Sequence, residues 1–177
     1  MWPSYRKAEM IQPLHIFRNV IEWKKGEIDN IKEDAKNGSV IFNPNKKRLQ
    51  KSIYEKNLLR KLKSALNKIN VSNDRQMTDV VTLYSKPGCL PQRYHRDYDH
   101  HLLFGLKTKP RGVIFALEDF TYFKTPNKIY TLYSGDILVF DGDLIHAGAG
   151  YDKENVRIHA YLDVDDIYRE KNRVWFV

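Results

Sequence analysis

The spacing of apolar residues separates the chain into two parts near residue 76. Between residues 54 and 69, apolar side chains recur about every 3.6 positions, which predicts one amphipathic helix that starts near Tyr54. Its apolar stripe consists of Leu58, Leu59, Leu62, Ala65, Leu66 and Ile69. Residues 46–53 do not continue this stripe, and we interpret them as a separate lead-in. We expect residues 1–75 to be a mainly helical region within the same domain as the rest of the chain.

From residue 79 onward the pattern changes to short β-branched and aromatic runs that are separated by Gly, Pro, Asn and Asp. Many short strands at this spacing are typical of an all-β sandwich or barrel, and no helix-length apolar pattern lies between them. The Asp141-Gly142 pair predicts a tight hairpin between the runs on either side of it. The predicted strands are 79–85, 92–97, 101–106, 112–117, 129–133, 136–140, 144–147 and 155–163.

Composition places the chain among ordinary globular proteins. It has 177 residues, of which 42% are hydrophobic and 29% charged, and a single cysteine, Cys89. This length suits one domain, and one cysteine excludes an internal disulfide framework. We find no candidate membrane span and no apolar segment typical of a secretory signal. We therefore expect the protein in the cytoplasm or nucleus. We also expect it to be a monomer.

The net charge of +8 is concentrated in residues 46–68, which hold nine Lys or Arg residues and one acid. On the predicted helix, Lys56, Arg60 and Lys63 lie opposite the apolar stripe. Such a ridge could contact the phosphates of a nucleic acid. The plainer interpretation is the solvated face of a helix whose leucines cover the β region.

Candidate chemistry begins at His95 and Asp97. Side chains at positions i and i+2 of a strand point to the same face, so this imidazole and this carboxylate can converge on one point. His146, 51 residues later, is the best candidate for a third ligand. Two histidines and one carboxylate form the facial triad of non-haem Fe(II) oxygenases, which leaves three coordination positions open. The alternative is that His95 and Asp97 are two polar residues on an exposed strand.

Arg157 follows His146 by 11 residues, within a predicted strand. It shares one strand face with His159 and Tyr161, which either line a cavity or fill the interior. The other face carries Val156, Ile158, Ala160, Leu162 and Val164. A guanidinium pairs with a carboxylate through two parallel hydrogen bonds, so Arg157 could hold an anionic cosubstrate. A surface salt bridge is the equal alternative on spacing alone.

These segments together resemble a known family. Pro87-Gly88, Gln92 and His95-Arg96-Asp97, followed by Gly135–Phe140 and Ile145–Gly148, are similar to phytanoyl-CoA dioxygenase-like Fe(II)/2-oxoglutarate oxygenases. The resemblance covers about residues 79–164. It implies an α+β protein: a double-stranded β-helix, or jelly roll, over 76–177 with N-terminal helices packed on it. It also implies Fe(II) held by His95, Asp97 and His146, 2-oxoglutarate held by Arg157, and O2 as the oxidant. The insert between the central strands is expected to shrink to Glu118–Lys128.

By this resemblance the reaction is hydroxylation or oxidative demethylation of an unidentified substrate, with release of succinate and CO2. Asp97 argues against halogenation, because related halogenases lack this carboxylate. Two other interpretations stay open. One is an inactive jelly roll that binds nucleic acid through residues 46–68. The other is a cupin-like metalloenzyme, which would have no need of Arg157.

Overall fold

The computed structural model describes residues 13–42 and 44–177. In chain order the elements of its first half are β1 (Leu14–Phe17), α1 (Lys25–Ala35), β2 (Ser39–Val40), β3 (Arg48–Ser52), α2 (Lys56–Lys68), β4 (Gln76–Ser85), β5 (His95–Arg96) and α3 (His100–Leu103). The second half contains β6 (Arg111–Ala116), β7 (Thr121–Lys124), β8 (Ile129–Leu132), β9 (Ile137–Asp141), β10 (Ala147–Gly148), β11 (Asn155–Asp163) and β12 (Trp175–Phe176).

The fold is mostly antiparallel β-sheet and is consistent with a jelly roll. Seven strands form a larger sheet in the order β1-β9-β6-β11-β4-β3-β2, and three form a smaller sheet in the order β10-β7-β8. Strands β12 and β5 make a separate pair. Among the described residues, no helix is long and apolar enough to cross a membrane.

The larger sheet has two different faces, as the alternation along β11 predicts. Val156, Ile158, Ala160 and Leu162 are fully buried in one apolar cluster together with residues of α1 and α2. Arg157, His159 and Tyr161 point to the opposite face, where they line a pocket. A second apolar cluster lies on this side, where residues of β6 and β9 pack against Phe123 and Leu132 of the smaller sheet. The pocket therefore lies between the sheets.

The amphipathic helix is confirmed as α2. Leu62, Ala65 and Leu66 are buried, and Leu58, Leu59 and Ile69 pack against the same cluster. A glutamate caps the start of this helix, since the Glu55 carboxylate accepts hydrogen bonds from the backbone N–H groups of Asn57 and Leu58.

The expectation that residues 1–75 are mainly helical is wrong. Besides α1 and α2, the described part of this region supplies β1, β2 and β3 to the larger sheet. Strand β3 was not predicted because it contains the charged residues Arg48 and Lys51, which are unusual in a buried strand. Its pairing with β4 is not visible from the sequence. Residues 1–12 and 43 lie outside the described residues, and the boundary near residue 76 stays a prediction.

Two local predictions within the β region are also wrong. Residues 100–103 form the short helix α3 rather than a strand, with the Asp99 carboxylate accepting a hydrogen bond from the backbone N–H of His101. Asp141-Gly142 does not close a hairpin, because β9 pairs with β1 and β6 while β10 pairs with β7. The expected insert 118–128 contains a further strand, β7, whose four residues were too few to stand out from the turn signals around them.

Candidate metal centre and its pocket

His95 and His146 lie directly opposite each other on neighbouring chain segments. The two residues exchange both backbone hydrogen bonds, with N–O distances of 2.9 and 3.0 Å. Residues paired in this way present their side chains on the same side, and the two imidazole centroids are 4.6 Å apart. Backbone pairing therefore brings together two histidines that are 51 residues apart in sequence.

Asp97 completes the cluster, although the predicted strand 92–97 is only His95–Arg96 and Asp97 lies in a bend that follows it. Its Oδ1 lies 3.7 Å from Nε2 of His95 and 3.6 Å from Nε2 of His146. One donor atom from each of the three residues falls within 4.8 Å of the others, and all three side chains are buried. The sequence-predicted residues are thus assembled into a group that could hold a metal ion.

The tautomers of both histidines favour a cation in this cluster. Nδ1 of His95 lies 2.9 Å from the carbonyl oxygen of Arg93, and Nδ1 of His146 lies 2.9 Å from that of Leu144. A carbonyl only accepts, so each Nδ1 carries the proton in the neutral ring. Each Nε2 then directs a lone pair towards the Asp97 carboxylate. Three electron-pair donors face one another with no proton between them, an arrangement that a divalent cation would stabilise.

Burial and nearby charge act differently on His146 and on Asp97. Burial lowers the pKa of His146. Burial opposes ionisation of Asp97, but attraction to positive charge at His146 and at the other basic side chains around it holds the pKa of Asp97 below the ordinary value. Two aromatic rings lie against His146. The Phe123 ring is stacked on it with 5.1 Å between ring centroids, and the Phe140 ring is tilted with 4.7 Å between centroids. Neutral imidazoles and an ionised carboxylate are the protonation states that metal binding requires.

His159 belongs to the same cluster, although the sequence indicated only that it shares a strand face with Arg157. Its Nε2 lies 3.7 Å from Oδ2 of Asp97, on the other side of the carboxylate from His95 and His146. Neither atom has a hydrogen-bond partner within the described residues. Burial lowers the pKa of His159 to about 4, so its ring is neutral at neutral pH.

Arg157 lies in the same pocket, and its side chain is not part of a surface salt bridge. It is 3% exposed, and its Nη1 donates to Ser85 Oγ and Asn155 Oδ1, both at 3.2 Å. Its guanidinium also lies 5.0 Å from the centre of the Tyr151 ring. Because Arg157 precedes His159 by two residues on one strand face, their backbone positions are about 7 Å apart along the strand.

Arg48 is the pocket residue that the sequence did not single out. It is fully buried on β3, it lines the pocket with Arg157, and its Nε and Nη1 have no hydrogen-bond partner in the described chain. Alternation within residues 48–52 was the available signal. Arg48 and Gln50 share a face with the pocket, whereas Leu49 joins the apolar cluster on the other face.

The other titratable candidates lie away from this pocket. His100 and His101 are exposed on α3, and His100 Nδ1 lies 3.2 Å from Asp143 Oδ2. Lys56, Arg60 and Lys63 are exposed on α2, whose buried side joins the apolar cluster on the opposite face of the larger sheet. No comparison with known proteins supports a contact with nucleic acid.

No protein-family model and no curated protein sequence matches the chain. Solved structures do match it. It is similar to HygX from Streptomyces hygroscopicus, solved with nickel, 2-oxoglutarate and hygromycin B, with a TM-score of 0.66 and 9% identity over 90% of this chain and 86% of that one. It is also similar to a prolyl hydroxylase from Trichoplax adhaerens in complex with a hypoxia inducible factor peptide, with a TM-score of 0.63 and 12% identity over 91% and 86% of the two chains.

A third similar structure is the 2-oxoglutarate complex of a viral collagen prolyl hydroxylase from Paramecium Bursaria Chlorella virus-1. The TM-score is 0.61 and the identity 15%, over 86% of this chain and 97% of that one. At such identities the likeness is one of fold. The chain therefore shares its fold with these three structures, two of which contain 2-oxoglutarate.

Proposed function

We propose that this protein is a non-haem Fe(II)/2-oxoglutarate-dependent oxygenase. His95, Asp97 and His146 would hold the iron, and Arg157 would hold the distal carboxylate of 2-oxoglutarate. The observation that carries the proposal is the convergence of three electron-pair donors without a proton between them, beside a buried arginine whose hydrogen-bond acceptors are uncharged. The shared fold supports it, since structures with the same fold contain metal and 2-oxoglutarate.

The donor set suits this metal and this cosubstrate. Two neutral imidazoles and one carboxylate match Fe(II), and they leave open positions for a bidentate oxo acid and O2. A cupin-like enzyme that does not use 2-oxoglutarate would leave Arg157 without a role. When bound, the iron and 2-oxoglutarate supply the oxidising power that inserts oxygen into a C–H bond, with release of succinate and CO2.

The protein's own residues would orient the ligands and exclude water. The carbonyls of Arg93 and Leu144 fix the ring orientation of His95 and His146 through their Nδ1 protons. Phe123 and Phe140 pack against the buried His146 ring and shield it from solvent. Arg157 would set the direction of the oxo acid, so that its keto end faces the cluster.

The finer features of the function rest on the sequence. Hydroxylation or oxidative demethylation, and membership of a phytanoyl-CoA dioxygenase-like subfamily, are proposals supported by the motifs around His95 and His146. A monomeric state and a location in cytoplasm or nucleus stay predictions. The substrate is unassigned.

Turnover of the cosubstrate tests the proposal without a known substrate. The protein is purified anaerobically and given Fe(II), 2-oxoglutarate and O2, and succinate is measured. We expect slow uncoupled turnover that is lost in Asp97→Ala and retained in Asp29→Ala, which changes an exposed aspartate of α1. A folded protein that binds no divalent metal would refute the proposal.

A further inference from the structure

Two buried arginines, Arg48 and Arg157, lie in the pocket, and neither has a carboxylate partner among the residues that the structure describes. Their hydrogen-bond acceptors among the described residues are the carbonyl of Ala149 for Arg48, which also has the Cys89 side chain beside it, and the side chains of Ser85 and Asn155 for Arg157. All three acceptors are uncharged. Burial, and next the positive charge of Arg157, lower the pKa of Arg48 to about 10, so it remains charged at neutral pH. Two unpaired buried cations are unfavourable unless an anion joins them.

The strand register places both guanidiniums at the same end of the pocket. Arg48 pairs across strands with Ser85, and Ser85 pairs with Asn155 on its other side. Cross-strand partners point to the same face, and Ser85 is also bonded to Arg157. On this face of β11, His159 lies nearest the metal cluster, Arg157 is two residues further away, and Asn155 is two residues further again. Both arginines therefore lie at the end of the pocket that is distal to the metal cluster.

The chain leaves room for the Arg48 side chain at this end. A Cβ at Gly148 would lie 2.7 Å from Nη1 of Arg48, closer than such atoms approach. Gly148 follows His146 by two residues, so the glycine that admits this guanidinium belongs to the same segment as a candidate metal ligand. Arg48 Nη2 donates to Ala149 O at 2.6 Å, which fixes the guanidinium, and its Nε and Nη1 have no hydrogen-bond partner within residues 13–42 and 44–177.

We propose that Arg48 and Arg157 together form a two-arginine subsite for the distal carboxylate of 2-oxoglutarate. This inference rests on the proposed function and adds a residue to it. A carboxylate has two oxygens and about four acceptor positions, so two guanidiniums can share it. Arg48 comes from β3, before the β region that carries the sequence motifs. The N-terminal part of the chain thus contributes to cosubstrate binding rather than only covering the core.

The test compares two oxo acids on the metal-loaded protein by calorimetry. Mn²⁺ replaces Fe(II), and the ligands are 2-oxoglutarate and 2-oxopentanoate, in which a methyl group replaces the distal carboxylate. We expect Arg48→Met to weaken 2-oxoglutarate binding by about 10- to 100-fold, the effect of losing a charge-assisted contact. Binding of 2-oxopentanoate should change less than about twofold, because its distal end offers no charge to either arginine.

Matched variants give the experiment its control. Arg60→Met removes the same atoms from an exposed arginine on α2 and should leave both affinities unchanged. If Arg48→Met does not fold, Arg48→Lys replaces it. Lysine keeps the charge but lacks the planar fork, so it should still weaken 2-oxoglutarate binding selectively.

The outcomes separate this inference from the proposed function. If Arg157→Met loses 2-oxoglutarate affinity and Arg48→Met keeps it, the two-arginine subsite is refuted while the enzyme proposal stands. Equal weakening of both oxo acids would mean general damage to the pocket and count against the subsite. Absence of 2-oxoglutarate binding to the wild-type protein, with metal bound, would refute the proposed function itself.

Discussion

His159 and Asp97 face each other across 3.7 Å, from Nε2 to Oδ2, and neither atom has a hydrogen-bond partner among the described residues. The other carboxylate oxygen, Oδ1, faces His95 and His146. If a metal takes Oδ1, an Nε2 proton on His159 can approach Oδ2 and hold the carboxylate in one orientation. His159 would then be a positioning residue for the metal ligand.

We predict that His159→Phe weakens metal binding by about 10- to 100-fold, as loss of a group that orients a ligand usually does. The measurement is a Co²⁺ titration followed by absorption, which does not depend on turnover. His101→Phe alters an exposed histidine of α3 and should bind Co²⁺ like the wild type. An unchanged affinity in His159→Phe would show that the contact with Asp97 is incidental.

Removal of the buried Asp97 carboxylate should lower the melting temperature of the metal-loaded protein but not that of the metal-free protein. In Asp97→Asn the amide can donate to an imidazole Nε2, so we expect the metal-free protein to melt no lower than the wild type. Mn²⁺ at 100 times its dissociation constant should stabilise the wild type by about 2.7 kcal/mol. It should not stabilise the variant. Thermal melts with chelator and with Mn²⁺ measure both effects.

Asp29→Asn is the control, because that aspartate is exposed on α1. It should show the full shift with Mn²⁺. An equal shift in Asp97→Asn would place the metal elsewhere in the protein.

Local sequence patterns predicted a residue's position correctly where that position depends only on the alternation of side chains along its own segment. Strict alternation in residues 155–163 predicted the limits of β11 and the face that Arg157 shares with His159 and Tyr161, but it left open whether that face lines a pocket. The i and i+2 spacing likewise predicted that His95 and Asp97 converge. His146 was the weaker assignment from sequence, because its placement depends on pairing with a segment 51 residues away.

The features that were missed depend on contacts between distant strands. Arg48 is buried because β3 pairs with β4, and a charged residue in a basic segment gives no local sign of this. Asp141-Gly142 has the chemistry of a hairpin turn, but the chain crosses to the other sheet there. In both cases local composition was compatible with two structures, and tertiary packing decided between them.

The position of the Phe140 ring, which packs against His146, requires a glycine at position 112 of β6. Gly112 pairs with Phe140 of β9, and a Cβ on this glycine would lie 2.1 Å from the Phe140 ring. Phe140 is buried, and its centroid lies 4.7 Å from that of His146. We predict that Gly112→Ala destabilises the fold by about 1–3 kcal/mol through overpacking and also weakens Co²⁺ binding, because the ring must move towards the cluster.

Urea unfolding and Co²⁺ titration check this prediction. Gly26→Ala is the matched control, since nothing lies within 4 Å of an added Cβ there, and it should leave both measurements close to wild type. If Gly112→Ala loses stability but keeps its metal affinity, Phe140 does not orient His146.

The strand β12 connects the end of the described chain to a candidate metal ligand. Phe176 pairs with His95, their rings are 6.3 Å apart, and the Val177 N–H donates to the carbonyl of Tyr94. We predict that Phe176→Ala weakens Co²⁺ binding several-fold and speeds amide exchange at His95, because β5 loses a packing contact on its outer side. Phe104→Ala, which truncates a phenylalanine that is 86% exposed, should change neither quantity. Wild-type exchange at His95 in Phe176→Ala would mean that β5 is held by the backbone pair with His146 alone.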